Sequence, residues 1–405
     1  MTIVSHILMQ MPGIAKPQRN FLNALFTTIL TLRGHANFRN LSRFSNYCER
    51  TFARQFRRHF DWPAFNQRLV QNALQPSSTI IAAQDASFIP KSGKHTFGLD
   101  RFFNSCNGRV ERGLEISTVA IIDVTQNCAY NLAVAQTPPT AQRLPKDKEP
   151  TRVDFYLNQL RQHRALLPES VKYLACDGFY AKKTYIDGVR QCGLQVITKL
   201  RCDADLRFLY TGEREKRRGR PRLYDGKVNF ADLSRFESLG TVEQAEHLHL
   251  YTAMVYHVRL KRRLRVVVVV SRTDTAKPRY IVLATTDTQL DGGEVVRLYS
   301  ARFQIEFLFR DAKQFTGLSD CQARNQQALN FHFNGALSTL NLARVEAVKE
   351  QAEARPFVFS MASRKQRAFN ERYLEIISEK LALDLSAIKN HPAYEELRAY
   401  GAIAA

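Results

Sequence analysis

Two apolar segments of the chain are each followed by an aspartate. Residues 79–83 (TIIAA) lead to Asp85, and residues 171–176 (VKYLAC) lead to Asp177. Short apolar runs bounded by polar residues are typical of strands buried in a sheet. Further patterns accompany them: helices at 153–167 and 182–192, and a strand at 195–199. This alternation predicts an α/β layer on a mixed sheet, with both aspartates at the carboxyl ends of their strands.

Asp123 also ends a predicted strand. Residues 113–124 and 129–135 have the pattern of two neighbouring strands joined by a short connection. An aspartate in such a connection commonly accepts hydrogen bonds from the turn that follows it. We therefore assign Asp123 to turn formation and not to a functional site.

The first 75 residues predict helices and no strand. Residues 37–44 and 47–58 form two helical patterns separated by a short turn. The second carries Arg54 and Arg57 beside a phenylalanine face, as the recognition helix of a helix-turn-helix unit does. The alternative is a basic amphipathic helix that does not touch DNA.

Between residues 201 and 290 the alternation of strands and helices stops. Three closely spaced strand patterns there predict an antiparallel β insertion, at 248–260, 264–271 and 279–286. A dense basic loop precedes them, and its Arg-Gly-Arg-Pro sequence resembles the core of an AT-hook, which places arginines in a narrow minor groove. We expect Arg218, Arg220 and Arg222 to contact DNA; the alternative is a charged loop without a ligand.

An excess of positive charge limits the possible partners. The chain of 405 residues has a formal net charge of +21, for which nucleic acid is the expected partner. It has no apolar run of the roughly 18 residues that a membrane-spanning helix needs, so no membrane partner is expected. The seven cysteines are scattered and lack zinc-site spacing, which predicts reduced thiols in a cytoplasmic protein.

Residues 299–313 (YSARFQIEFLFRDAK) predict one amphipathic helix. At about 100° per residue, four polar side chains share a narrow stripe: Tyr299, Arg302, Glu306 and Lys313. An apolar band lies beside the stripe, at Leu298, Ile305 and Phe309. A carboxylate held between cations on a mostly buried helix indicates a metal or phosphate site, whereas the alternative is a solvated charged face.

Asp85, Asp177 and Glu306 belong to three segments that a mixed sheet can bring to one edge. Three neighbouring carboxylates need cations, and two Mg²⁺ ions about 4 Å apart would suit phosphodiester cleavage. Hard oxygen ligands favour Mg²⁺ or Mn²⁺ over zinc. The three acids therefore predict metal-dependent chemistry on DNA.

The spacing of Tyr299, Arg302, Glu306 and Lys313 resembles the Tyr-Arg-Glu-Lys signature of insertion-sequence transposases of the IS-four group, within the DDE superfamily. Other segments also resemble that group: residues 85–87 with 90–94, 176–178, 283–287 and 317–324. The resemblance covers about residues 75 to 345. The resemblance implies that Asp85, Asp177 and Glu306 form the metal-binding triad for two Mg²⁺ or Mn²⁺ ions. It also implies DNA contacts by Tyr299, Arg302 and Lys313.

The resemblance further implies a DNA transposase. Such enzymes cut at terminal inverted repeats by water attack, often through a hairpin intermediate, and join the 3′-OH ends to target DNA in a dimeric paired-end complex. The expected location is the bacterial cytoplasm, at the nucleoid. Two alternatives remain open: a metal-dependent nuclease of the same fold that does not join strands, and a domesticated DNA-binding protein without catalysis.

The expected fold is α/β, with an RNase H-like catalytic core interrupted by an antiparallel β insertion and with helical N- and C-terminal regions. The expected domains are a helical DNA-binding domain (1–75), the first part of the core (76–200), the β insertion with its basic loop (201–290), the second part of the core (291–345) and a helical C-terminal region (346–405).

The sequence departs from the group at two aromatic positions. Phe303 stands where relatives often carry tryptophan, and the single tryptophan, Trp62, lies far from the β insertion. Relatives that flip a base out of a hairpin stack it on a tryptophan of that insertion. Because stacking accepts any aromatic face, a tyrosine or phenylalanine can take this role.

Overall fold

The computed structural model describes residues 2–139, 151–212, 222–242, 245–271, 279–350 and 358–403. Its helices are α1 (Thr2–Gln10), α2 (Lys16–Thr31), α3 (Phe38–Arg43), α4 (Glu49–Gln55), α5 (Trp62–Gln71), α6 (Arg152–His163), α7 (Lys183–Gln191), α8 (Gly292–Ala301), α9 (Gln304–Phe315), α10 (Gln326–Glu350), α11 (Met361–Leu381), α12 (Leu385–Asn390) and α13 (Tyr394–Ala399). Its strands are β1 (Ile80–Pro90), β2 (Asp100–Asn104), β3 (Arg109–Asp123), β4 (Cys128–Gln136), β5 (Tyr173–Cys176), β6 (Gln195–Leu200), β7 (Leu206–Leu209), β8 (Tyr224–Lys227), β9 (Glu237–Val242), β10 (Ala245–His257), β11 (Arg262–Ser271) and β12 (Arg279–Thr285).

The N-terminal region is helical, as predicted, and packs on α10 through aromatic side chains. Trp62 is 2% exposed, and its ring lies 5.0 Å from that of Phe331 on α10. The two helices predicted at 37–44 and 47–58 are shorter than expected, because α3 and α4 span six and seven residues. Phe56 ends α4 by turning into the core, where its ring packs 4.6 Å from Phe331. Arg57 therefore lies beyond the helix that was predicted to carry it.

The described strands form a single mixed sheet. Their order along its main path is β2-β3-β1-β5-β6-β12-β11-β10-β7-β8, with β4 paired to β3 and β9 paired to β10. Among the described pairs, only β1–β5 and β5–β6 are parallel. The predicted mixed sheet is thus confirmed, although most of its pairs are antiparallel.

Strand β1 is longer than its apolar segment. It continues through Asp85 to Pro90, because each of its residues pairs in register with β3, from Ile80↔Asp123 to Pro90↔Gly113. The prediction that Asp85 follows the end of its strand is therefore wrong, and Asp85 lies in the middle of β1. Asp177, in contrast, directly follows β5 as predicted.

The segment predicted as a β insertion extends the same sheet. Its strands β10, β11 and β12 are antiparallel, and β12 pairs with β6 from Val282↔Leu200 to Thr285↔Ile197. Three shorter strands that the sequence pattern missed, β7, β8 and β9, complete this half. The segment is therefore continuous with the strands that carry the two aspartates.

Helices cover both faces of the first half of the sheet. On one face, Arg344 of α10 bonds the carbonyl of Ala129 on β4 and pairs with Asp311 of α9 at 3.0 Å, which fixes α9 against the sheet. On the other face, Gln84 of β1 bonds the carbonyl of Tyr156 on α6 at 2.9 Å and accepts the hydroxyl proton of Tyr185 on α7 at 2.5 Å. Successive residues of a strand point to opposite faces. Gln84 faces α6 and α7, and the next residue, Asp85, contacts Arg302 just before α9.

The C-terminal helix α11 joins α2 and α9. The ammonium group of Lys365 donates to the carbonyls of Ile29 and Phe315, each at 2.8 Å. Both carbonyls lie in the last turn of their helices, where no intrahelical partner exists. No described helix has the length and apolar composition needed to cross a membrane.

Candidate active site

The parallel pairing of β1 with β5 places two aspartates side by side. Their register pairs Ala82 with Leu174, Ala83 with Ala175 and Gln84 with Cys176. Asp85 and Asp177 follow directly after the last of these pairs. An Asp177 carboxylate oxygen accepts a hydrogen bond from the backbone N–H of Phe179, which starts a short 3-10 helix at Gly178–Tyr180. Sheet register therefore brings these two acids together from residues far apart in sequence.

Glu306 reaches the same place from the second of two consecutive helices. The single helix predicted over 299–313 is wrong, because α8 ends at Ala301 and α9 begins at Gln304. Arg302 and Phe303 keep right-handed helical dihedrals, but their N–H groups bond the carbonyls three residues back, at 3.1 and 3.0 Å. Glu306 therefore lies in the first turn of α9, where the helix dipole favours a negative charge.

Arg302 lies between two of the three acids. Its guanidinium is 3.4 Å from Asp85 Oδ2 and 2.9 Å from Glu306 Oε1, and its side chain is only 11% exposed. Its Nε has no hydrogen-bond partner among the described groups. We expected Arg302 to reach outward to DNA phosphates, whereas in this structure it points at the carboxylates and neutralises them.

The remaining two signature residues flank this centre. The Tyr299 ring lies 5.5 Å from the Arg302 guanidinium, and burial raises the pKa of its hydroxyl. Lys313 lies two turns after Glu306 on α9 and lines the same cavity, and burial lowers the pKa of its ammonium. The predicted apolar band is confirmed, since Leu298, Ile305 and Phe309 are all buried.

One open cavity of about 740 Å³ contains the three acids. It is also lined by Arg302 and Lys313, and by residues that sequence reasoning missed: Glu115, Arg152, Tyr156, Phe103 and Phe179. Glu115 is buried, and its carboxylate accepts the Tyr156 hydroxyl proton at 2.5 Å. A signal for it existed, because Glu115 is the one charged residue of β3 between Arg112 and Asp123.

The pKa of Asp85 rises to about 7. Burial is the largest cause; the Arg302 cation opposes it, and the negative charges of Asp177 and Glu306 reinforce it. A carboxyl group with this environment gains most from a cation placed among the three acids.

The donor set suits a hard divalent cation, since Asp85, Asp177 and Glu306 present carboxylate oxygens in one cavity. In the described part of the chain, no three acidic, histidine or cysteine side chains are arranged to hold an ion. The guanidinium of Arg302 lies between Asp85 and Glu306 and pairs with both.

Comparison with known proteins identifies the family. The model of the DDE superfamily endonucleases matches residues 17–265, more than half of the chain. The chain belongs to the DDE superfamily of endonucleases. The match includes Asp85 and Asp177, whereas Glu306 lies beyond it. No curated protein matches the chain.

Membership identifies this DDE endonuclease as a metal-dependent enzyme that acts on DNA. Asp123, which the sequence assigned to a turn, is fully buried in this endonuclease and accepts hydrogen bonds from Ser78 Oγ at 2.8 Å and from the Gln126 N–H at 2.9 Å. It serves the turn between β3 and β4.

Three other predicted DNA contacts, Arg54, Arg57 and Arg222, do not line the cavity. Arg54 and Arg57 are exposed at the end of α4 and just after it. Arg222 pairs with Asp225 and lies 4.8 Å from the Tyr210 ring. Arg218 and Arg220 lie outside the described residues.

Proposed function

We propose that this DDE endonuclease is a transposase of an insertion sequence, of the group with the Tyr-Arg-Glu-Lys signature. It cuts DNA at the terminal inverted repeats of its element and joins the 3′-OH ends to target DNA. The observation that carries the proposal is the meeting of Asp85, Asp177 and Glu306, from three distant segments, in one cavity beside Arg302 and Lys313.

In this proposal the three carboxylates hold two Mg²⁺ or Mn²⁺ ions. Such ions activate an attacking water or 3′-OH and stabilise the leaving oxygen. Lys313 contacts a phosphate of the bound strand as a point charge, and Tyr299 packs against Arg302 to fix its direction. Arg302 would offset part of the negative charge of Asp85 and Glu306, with which it pairs, and would contact a phosphate of the bound strand.

We propose the domain division that the sequence led us to expect. The core is RNase H-like, in parts 76–200 and 291–345, and residues 201–290 are its insertion. Residues 1–75 bind DNA with Arg54 and Arg57, and the basic loop binds with Arg218, Arg220 and Arg222. The enzyme acts as a dimer on paired ends at the bacterial nucleoid. Phe179 is 48% exposed in the cavity and is the aromatic side chain proposed to stack a flipped base on a hairpin route.

Alanine variants of the triad test the proposal. Asp85→Ala, Asp177→Ala and Glu306→Ala should each abolish Mg²⁺-dependent cleavage of DNA that carries the element ends, because each removes a metal ligand. Binding of that DNA should persist, since it rests on cations. Glu294→Gln, at a partly exposed acid of α8 that pairs with Arg297 and does not line the cavity, is the matched control and should cut normally. Normal cleavage by Glu306→Ala would contradict the assignment.

A pre-cut end separates a transposase from a nuclease. The wild-type protein, given a duplex with a free 3′-OH at the element end and a supercoiled target plasmid, should join the two. Cleavage without joining would favour the nuclease without strand transfer. Tight DNA binding with neither reaction would favour a non-catalytic DNA-binding protein.

A further inference from the structure

We propose that Arg152 forms a second phosphate-binding subsite in the acid-lined cavity, and that it grips a phosphodiester of the DNA strand from the face of the sheet opposite Arg302. The inference rests on the proposed action on DNA. It assigns a role to a residue outside the Tyr-Arg-Glu-Lys signature, at the first position of α6.

Three neighbours hold the Arg152 guanidinium in place. Its Nη2 donates to the Arg101 carbonyl at 3.3 Å, and its Cζ lies 4.7 Å from the centre of the Phe102 ring. Its Nη1 lies 4.0 Å from Glu115 Oε2. Stacking and one hydrogen bond fix the plane of the group, so that little side-chain entropy remains to be lost when a ligand binds.

Most of the donors of Arg152 remain available. A guanidinium has five N–H donors, and the bond to Arg101 is the one hydrogen bond that Arg152 makes among the described residues. The side chain is 27% exposed, and it lines the cavity that holds the three acids. A planar cation with free, parallel donors matches the two oxygens of a phosphodiester.

The simplest structural role for Arg152 is to neutralise Glu115. The 4.0 Å separation between Nη1 and Oε2 is longer than a hydrogen bond, however, and Glu115 Oε1 already accepts the Tyr156 proton at 2.5 Å. Glu115 is thus held mainly by the tyrosine and attracts the guanidinium without engaging its donors. This arrangement orients Arg152 and leaves it free for an anion.

The position of α6 makes the subsite complementary to the signature residues. Asp85 meets Arg302, which precedes α9, whereas its neighbour Gln84 meets Tyr156 of α6. Because successive strand residues point to opposite faces, Arg152 and Arg302 approach the cavity from opposite sides of β1. A strand whose scissile phosphate lies at the acids can then be held on both sides.

Salt-dependent DNA binding tests the subsite without any need for catalysis. The probe is a fluorescent duplex of about 30 base pairs that carries the element end, titrated in EDTA at several salt concentrations. Losing one phosphate contact should reduce the magnitude of the log–log salt slope by about 1. We expect this reduction, with about tenfold weaker binding near physiological salt, for Arg152→Ala. Arg152→Lys should keep most of the slope and lose part of the affinity.

Two further variants separate binding from folding. Arg161→Ala on the same helix is the matched control, since Arg161 is exposed and bonds only uncharged side chains, of Asn158 and Gln191, among the described residues. Its slope should equal that of the wild type. In Glu115→Gln/Arg152→Met both charges are removed, so the protein should melt near the wild type and still bind DNA weakly. Recovery of wild-type affinity in this double variant, or an unchanged slope in Arg152→Ala, would overturn the proposal.

The salt slope of Arg152→Ala and the strand-joining assay test the subsite and the transposase proposal separately. A reduced slope in Arg152→Ala together with no strand joining by the wild type keeps the subsite and rejects the transposase. Strand joining with an unchanged slope in Arg152→Ala keeps the transposase and rejects the subsite.

Discussion

Arg302 takes the position of a counter-ion inside the cavity of the acids. It is nearly buried, and both of its ion pairs are with residues proposed to bind metal. A cation that enters between Asp85 and Glu306 competes with this guanidinium for the same oxygens. We therefore expect the arginine to stabilise the protein when no cation is bound, and to lose these pairs when one binds.

Arg302→Ala tests this exchange. Because it leaves Asp85 and Glu306 without their shared cation, we expect it to lower the free energy of unfolding in EDTA by about 2 kcal/mol. Mn²⁺ should raise the melting temperature of the variant more than that of the wild type. Arg297→Ala, which breaks an exposed pair with Glu294 on α8, is the control and should change stability by less than about 1 kcal/mol. Equal effects of Mn²⁺ on Arg302→Ala and wild type would contradict the exchange.

Lys365 connects the C-terminal helix α11 to α9, the helix that lines the active site. Its ammonium caps the last turns of α2 and α9, and α9 carries Glu306 and Lys313. Burial lowers the pKa of Lys365 to about 8, with a smaller contribution from the Arg33 cation. The hydrogen bonds to the two carbonyls therefore offset part of the desolvation free energy of this buried ammonium group.

The sign of this shift predicts a pH dependence. The pKa of Lys365 in the folded protein lies below the usual 10.5 of an unfolded lysine, so its charged form disfavours folding below about pH 8. That cost falls as the pH rises from 8 towards 10.5. The stability of the wild type relative to Lys365→Met should therefore increase over this range, as measured by paired thermal melts.

Lys365→Met should also loosen α9 near neutral pH, because it leaves the carbonyls of Ile29 and Phe315 without their partner. Amide hydrogen exchange should become faster in the last turn of α9 and remain unchanged in β3. Lys380→Met, at an exposed position of the same helix, is the control. Unchanged exchange in α9 of Lys365→Met would contradict the capping role.

The formal net charge of the protein is +21, and this excess of positive charge should govern its affinity for DNA. We expect a log–log salt slope of magnitude about 5 or more for the wild type, because several phosphates are neutralised. Arg54→Ala/Arg57→Ala should reduce this magnitude by about 2 if both side chains touch the DNA. A flat salt response of the wild type would remove the argument from net charge.

The sequence predicted the parts of the fold that local patterns encode. The apolar strands β5, β6, β11 and β12 were found within a few residues, whereas β7 and β8 have four residues each and are too short to show a strand pattern. The end of β1 that contains Asp85 is a strand because β3 pairs with it, and the interruption between α8 and α9 at Arg302 has no glycine or proline to mark it. The contact between Arg302 and Asp85 joins residues far apart in the chain, so no local pattern contains it.

The position of α9 along the chain has a consequence for the timing of synthesis. Glu306 follows all twelve described strands, while the N-terminal helices and both aspartates precede it. A ribosome that stops after β12 thus releases a chain with the basic N-terminal region and the segment that matches the family, but without the third acid. Such a fragment also lacks α10, on which the N-terminal helices pack, so we expect it to expose their aromatic side chains and to leave DNA uncut.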